Sequence, residues 1–177
     1  MMNTGFNRQK RCIIGIILLI ILIVLDQFTK RLASTYLMDT AGIDLIPGVL
    51  RLQYLENTGM AFSLFEGQMI LFYVMTIVLS LAIIWCMRKL PVSNKFNFVY
   101  FLFVALLAGA IGNFIDRVFY KYVIDFIYFV LIDFPVFNVA DIYVTVSVFV
   151  MLAMVLFFFS DEELKAAFSK ESVNHKQ

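Results

Sequence analysis

FVYFLFVALLAGAIGNFIDR, residues 98–117, decides the fold. Its first eighteen residues, Phe98 to Ile115, carry no charge, which makes them a candidate helix across a hydrocarbon core about 30 Å thick. Ala105, Gly109 and Asn113 fall on one helical stripe, with Ala108 and Gly112 beside it. Small residues so placed let a neighbouring helix come close. The run then stops on a polar patch, because Asn113, Asp116 and Arg117 stand at i, i+3 and i+4.

Three further stretches repeat the apolar pattern, about Cys12 to Leu32, Met69 to Met87 and Val136 to Phe159. Over all 177 residues 62% are apolar and 15% charged, with a mean hydropathy of +0.90, whereas soluble domains run near 45–50% and 25%. A water-soluble domain is excluded. The expectation is an all-α membrane protein, a four-transmembrane-helix bundle forming one polytopic domain over residues 1–177. The first run follows Arg8, Lys10 and Arg11 and resembles a signal-peptide core. Asp26, Lys30 and Arg31 follow it, and Ala33 to Thr35 offers only a weak cleavage site, so it is read as an uncleaved helix.

Between the first two spans, Pro47-Gly48 precedes Leu50-Arg51-Leu52-Gln53-Tyr54-Leu55-Glu56. This mostly period-two alternation predicts a short strand or hairpin within a β-like segment at 45–66. Nine of the fourteen Lys and Arg lie in the amino end, the 88–97 loop and the tail from residue 160. The other five accompany nine acidic residues in the remaining loops and the adjoining helix end. The positive-inside rule therefore predicts cytoplasmic termini and places 45–66 on the opposite face.

The net charge of +1 has no dense basic block, so no nucleic acid is expected as a partner. The single histidine, His175, lies in the polar tail, which leaves a serine or cysteine nucleophile without a histidine base. No CxxC or HExxH occurs, so no metal site and no cofactor are expected. Cys12 and Cys86 lie at the predicted cytoplasmic ends of their spans and are read as spectators, with no disulfide.

Ionisable groups at membrane depth are costly, which makes each a functional candidate. Asp26 and Lys30, at i and i+4, can pair on one face of the first span; the alternative is an ion pair snorkelling at the interface. Asn57-Thr58-Gly59 suits a plain turn as well as a substrate contact. Arg117 is expected to hold Asp116 ionised, making Asp116 a structural partner. Asp125 lies in the β-branched and aromatic run Tyr122-Val123-Ile124-Asp125-Phe126-Ile127 with no adjacent cation. Asn138, Asp141 and Thr145 run down one face of the fourth span behind Pro135, and Asp141 is the deepest acid in the chain. A hydrogen-bonded packing role is the alternative for Asp141.

Asp125 and Asp141 near one face suggest paired acid–base work on water. When two carboxylates share a site, one ionises first and the other holds its proton more tightly. The first takes a proton from water; the second polarises a carbonyl and then protonates the leaving amine.

Four segments carry a resemblance: Asp26-Gln27-Phe28-Thr29-Lys30; Asn57-Thr58-Gly59-Met60-Ala61-Phe62-Ser63; Gly109 to Arg117 with Val123-Ile124-Asp125-Phe126; and Phe137-Asn138-Val139-Ala140-Asp141. In order and spacing they resemble the bacterial lipoprotein signal peptidases, or signal peptidase II, over nearly the whole chain. The resemblance implies a four-helix bundle with a small extracytoplasmic β-cradle and a short interfacial helix, in the bacterial cytoplasmic (inner) membrane. It implies an aspartic endopeptidase cleaving before the diacylglyceryl-cysteine of a prolipoprotein, with membrane lipid as its surroundings. Asp125 and Asp141 match the catalytic pair; Asp26, Lys30, Asn57, Gly59, Asn113, Asp116, Arg117 and Asn138 match site-supporting or substrate-binding positions. Met60 and Ile142-Tyr143 depart from the family's small or hydroxylated residues. Two other classes use buried acids or four spans: a proton-coupled transporter or channel subunit, and a non-catalytic scaffold. The former commonly shows internal repeats or broken helices, and neither is evident here.

Overall fold

The computed structural model describes residues 7–59 and 68–168. Four helices, α1 (Arg8–Tyr36), α2 (Met69–Lys89), α3 (Asn94–Tyr120) and α4 (Val139–Phe157), are long and apolar enough to cross a membrane. The described residues also form three strands, β1 (Ile43–Ile46), β2 (Leu50–Asn57) and β3 (Val123–Phe129), and a short helix, α5 (Asp161–Phe168). The expected small β element is therefore a three-stranded antiparallel sheet in the order β1-β2-β3.

Helix α3 is the axis of the bundle: α1, α2 and α4 each pack on it. Its small residues explain why. A Cβ at Gly109 would lie 2.5 Å from the Ala140 carbonyl oxygen, and one at Gly112 would lie 2.5 Å from Asp26 Oδ2. The two glycines thus admit the α4 backbone and an α1 side chain where any larger residue would displace them. Polarity runs opposite to a soluble domain. Isoleucines 13, 16, 17, 20 and 21 of α1 are exposed, while Arg11, Asp26, Lys30, Asp116, Asp125 and Asn138 are buried. Apolar lipid-facing walls around a polar interior are what a bilayer solvent favours.

Local chemistry sets the element ends. The Asn7, Ser93 and Asn138 side chains cap α1, α3 and α4. The β1–β2 turn carries Pro47 and then Gly48 at φ +73°, with Val49 N–H donating to Ile46 O at 2.9 Å. Pro at the second position and a positive-φ Gly at the third match a type II turn. Lys121 closes α3 in the left-handed conformation at φ 70°, sending the chain straight into β3.

Two details lay beyond the sequence reading. The aromatic, β-branched run around Asp125 is a full strand on β2, with Leu55 opposite Asp125 and Asn57 opposite Val123. The fourth helix begins at Val139, where the sequence reading opens its span at Val136. Phe137 is instead held by the sheet, exchanging N–H···O bonds of 3.0 and 2.8 Å with Ile127. That bridge brings Asn138 and the first turn of α4 against the Asp125 strand.

Candidate active site

Asp125 and Asp141 approach from different elements and meet through Asn138. Asp125 is 1% exposed on β3. Its Oδ2 accepts from Asn57 Nδ2 at 2.8 Å, and its Oδ1 from Asn138 Nδ2 at 2.6 Å. Asp141 sits three residues into α4 and forms a capping box with Asn138. The Asp141 N–H donates to Asn138 Oδ1 at 3.0 Å, while the Asn138 N–H donates to Asp141 Oδ2 at 3.1 Å. One asparagine therefore caps the helix that carries one carboxylate and grips the other directly.

A second amide extends the frame. Asn113 Nδ2 donates to Asp141 Oδ1 at 2.8 Å. Asn113 Oδ1 accepts from Asn138 Nδ2 at 3.1 Å and from Lys30 Nζ at 2.8 Å. Because Lys30 only donates, it fixes which way the Asn113 amide faces. Lys30 in turn bridges Asp26 Oδ2 at 3.0 Å and Asp116 Oδ2 at 2.8 Å, all three buried.

Both of those carboxylates also hold backbone. Asp26 Oδ1 accepts the Ala140 N–H at 2.9 Å, and Asp116 Oδ2 accepts the Ile124 N–H at 3.2 Å. The triad thus pins the start of α4 and the residue before Asp125 to α1 and α3. Asp26–Lys30 is a buried junction of three elements, so the interfacial snorkelling alternative is set aside.

The expectation that Arg117 pairs with Asp116 is corrected. Adjacent residues on a helix diverge by about 100°, and Asp116 turns to Lys30 while Arg117 turns away. Arg117 Nη2 donates to Gly59 O at 3.2 Å, and its guanidinium lies 4.6 Å from the Phe72 ring centre. Asn57 makes the turn expected of its segment, since its Oδ1 accepts the Gly59 N–H at 3.0 Å, and its amide also holds Asp125. Thr145 is exposed and takes no part. Ile142 is also exposed, the Tyr143 hydroxyl is buried without a partner among the described residues, and Met60 lies outside them. Gln27, a member of the Asp26–Lys30 segment with no role expected of it, joins the site: its Nε2 reaches Asp26, Asp116 and Gly112 O at 3.0–3.2 Å. Its place beside Asp26 was the available signal; the backbone anchors carried none.

Burial, and next the charge of Asp141, push the Asp125 carboxyl up to about 7, against the pull of the Asn57 and Asn138 amides. Two carboxylates joined by one amide, one retaining its proton near neutrality, are equipped for acid–base work on a water molecule. The fold and site together define a polytopic membrane protein with a paired-aspartate centre at one end of its bundle.

The sequence profile of signal peptidase (SPase) II matches residues 18–158. The lipoprotein signal peptidase of Caldanaerobacter subterraneus subsp. tengcongensis is 39% identical over 144 residues, covering 81% of this chain and 96% of that protein. That of Enterococcus faecalis is 44% identical over 128 residues, covering 72% and 78%. A solved bacterial membrane enzyme superposes with a TM-score of 0.70 at 29% identity, covering 92% of this chain and 93% of its own. The chain belongs to the signal peptidase II family and is a protease of the aspartic class.

Proposed function

We propose that this chain removes the signal peptide from prolipoproteins carrying a diacylglyceryl-cysteine, cleaving before that cysteine, with Asp125 and Asp141 as the catalytic pair. The observation that carries the assignment is the double engagement of Asn138, whose side chain holds Asp125 while its backbone N–H holds Asp141. Such a bridge gives the two carboxyls a fixed separation before substrate arrives, and preorganisation of this kind lowers the reorganisation cost of reaction.

In the proposed reaction Asp125, the more deeply buried of the two, carries the shared proton. Asp141, accepting from Asn113 and from the Asn138 backbone at a helix N-terminus, acts as the base. Asp141 takes a proton from water as the oxygen attacks the scissile carbonyl. Asp125 hydrogen-bonds that carbonyl as charge develops and gives its proton to the departing amine as the C–N bond breaks, which leaves the proton taken from water on Asp141 and one proton on the pair. Lys30, Asp26 and Asp116 hold the elements in place, while Asn57, Asn113 and Asn138 position the pair. Gly59 and Arg117 lie beside it, where substrate backbone would pass.

The Lys/Arg distribution supports an inner-membrane orientation with both termini cytoplasmic and the aspartates near the outer face. The test is cleavage of a diacylglyceryl prolipoprotein by Asp125→Asn and Asp141→Asn enzymes reconstituted in vesicles. Each is expected to lose at least about a thousandfold in turnover while unfolding as wild type does, with the double variant hardly worse than either single, since groups acting as a unit fail together. Near-normal turnover in either single variant would remove that residue from the mechanism.

A further inference from the structure

At the end of the bundle remote from the aspartates, α1 and α2 each pack on α3 but scarcely on one another. The space left is a cavity of about 440 Å³, with Arg8, Arg11 and Arg88 among its lining residues and Leu19, Tyr100 and Val104 among its apolar walls. Along α1 it runs from Arg8 to Leu19, about 16 Å at 1.5 Å per residue, close to half of a ~30 Å hydrocarbon core.

Its charged lining is of one sign. The residues around it include Arg8, Arg11 and Arg88 and no Asp or Glu. Among the described residues, no carboxylate forms an ion pair with Arg8, Arg11 or Arg88. Arg11 is 1% exposed. It donates to Leu90 O at 2.9 Å, Pro91 O at 2.6 Å and Asn97 Oδ1 at 3.2 Å, and lies 4.6 Å from the Tyr100 ring centre. Its buried Nε–H has no partner among the described residues. Arg8 and Arg88 are exposed, and Arg8 Nη2 donates to the Arg88 carbonyl at 3.2 Å, which brings the start of α1 to the end of α2.

We propose that this cavity binds an anionic glycerophospholipid, with the phosphate between Arg8 and Arg88 and one acyl chain against Leu19, Tyr100 and Val104. Charge complementarity selects the occupant. A cluster of cations without internal counter-charge at the lip of an apolar slot one leaflet deep matches a phosphate joined to a hydrocarbon chain, and basic pockets between membrane helices take such headgroups. A soluble anion would leave the slot unfilled, and a zwitterionic lipid would leave the arginines uncompensated. The site is separate from the aspartate pair and does not depend on its role.

The test is native mass spectrometry of the full chain in neutral detergent, titrated with phosphatidylglycerol and phosphatidylcholine of identical acyl chains, with glycerol phosphate as competitor. One phosphatidylglycerol is expected to bind saturably and at least tenfold more tightly than phosphatidylcholine, without displacement by glycerol phosphate. R8Q/R88Q should abolish the discrimination. Ile16→Trp, at an exposed position lining the cavity, should weaken phosphatidylglycerol binding with both arginines in place, and decides alone if the double variant is not recovered folded. Equal binding of the two lipids, discrimination surviving in R8Q/R88Q, unchanged binding in Ile16→Trp, or displacement by glycerol phosphate would each overturn the proposal.

Discussion

Asn138 is the residue on which the site turns, because it performs two separable tasks. Its Oδ1 caps α4 and its Nδ2 reaches Asp125. Serine caps a helix about as well as asparagine, but its shorter side chain cannot span to β3, whereas alanine does neither. Asn138→Ser should therefore lose about a hundredfold in turnover, the order that misplacing a reacting group costs. Asn138→Ala should lose similar activity and a further ~1 kcal/mol of stability relative to serine; unfolding temperature and kcat read side by side separate the tasks. In the proposed mechanism the pair also sets the pH response. Since Asp125 is pushed up to about 7 by burial and by Asp141, it keeps its proton below that pH and loses it above. A mechanism needing one proton on the pair then falls off as pH rises through about 7, and falls again in acid when both carboxyls are protonated. A bell-shaped kcat/KM profile, whose limbs belong to the pair jointly, is the expected measurement.

Helices α3 and α4 hold their register through one contact in particular. A methyl at Gly109 would fall 2.5 Å from the Ala140 carbonyl oxygen and 2.7 Å from Val144 Cγ2, and no rotamer change moves a backbone atom. Gly109→Ala should thus push α4 outward beside Asp141, destabilise the protein by roughly 1–3 kcal/mol as overpacking does, and lower turnover by parting Asn113 from Asp141. Thermal unfolding and activity of the purified variant check both effects. The close approach was legible in the sequence, because small residues at helical spacing have one main use in a membrane. The strand around Asp125 was legible only as β-branched and aromatic composition. Its partner, β2, lies 66 residues before it across two spanning helices, counting from Asn57 to Val123, and no local pattern encodes such a pairing. Asp116 misled for a similar reason: its sequence neighbour Arg117 was the nearest cation along the chain, while Lys30, 86 positions away, is the nearest in space.

Across the whole molecule, apolar walls surround a polar seam, and the spans were legible because bilayer chemistry writes itself into hydropathy. The paired acids were legible as types without evident partners; their junction at Asn138 needed the folded chain. Wall and seam together fit the proposed substrate, which would arrive within the membrane. Two acyl chains confine a polypeptide to the bilayer, each buried methylene contributing about 0.8 kcal/mol, and confinement replaces much of the orientation cost of bringing a peptide bond to the aspartates. The direct measurement is cleavage, by the wild-type chain in vesicles, of one prolipoprotein prepared with diacylglyceryl-cysteine and with unmodified cysteine. The modified form is expected to be cut before the cysteine and the unmodified form at least about a hundredfold more slowly, the loss of 2.7 kcal/mol or more of transition-state binding. Equal cleavage of the two would contradict a lipid-anchored substrate and leave a general intramembrane aspartic protease in its place.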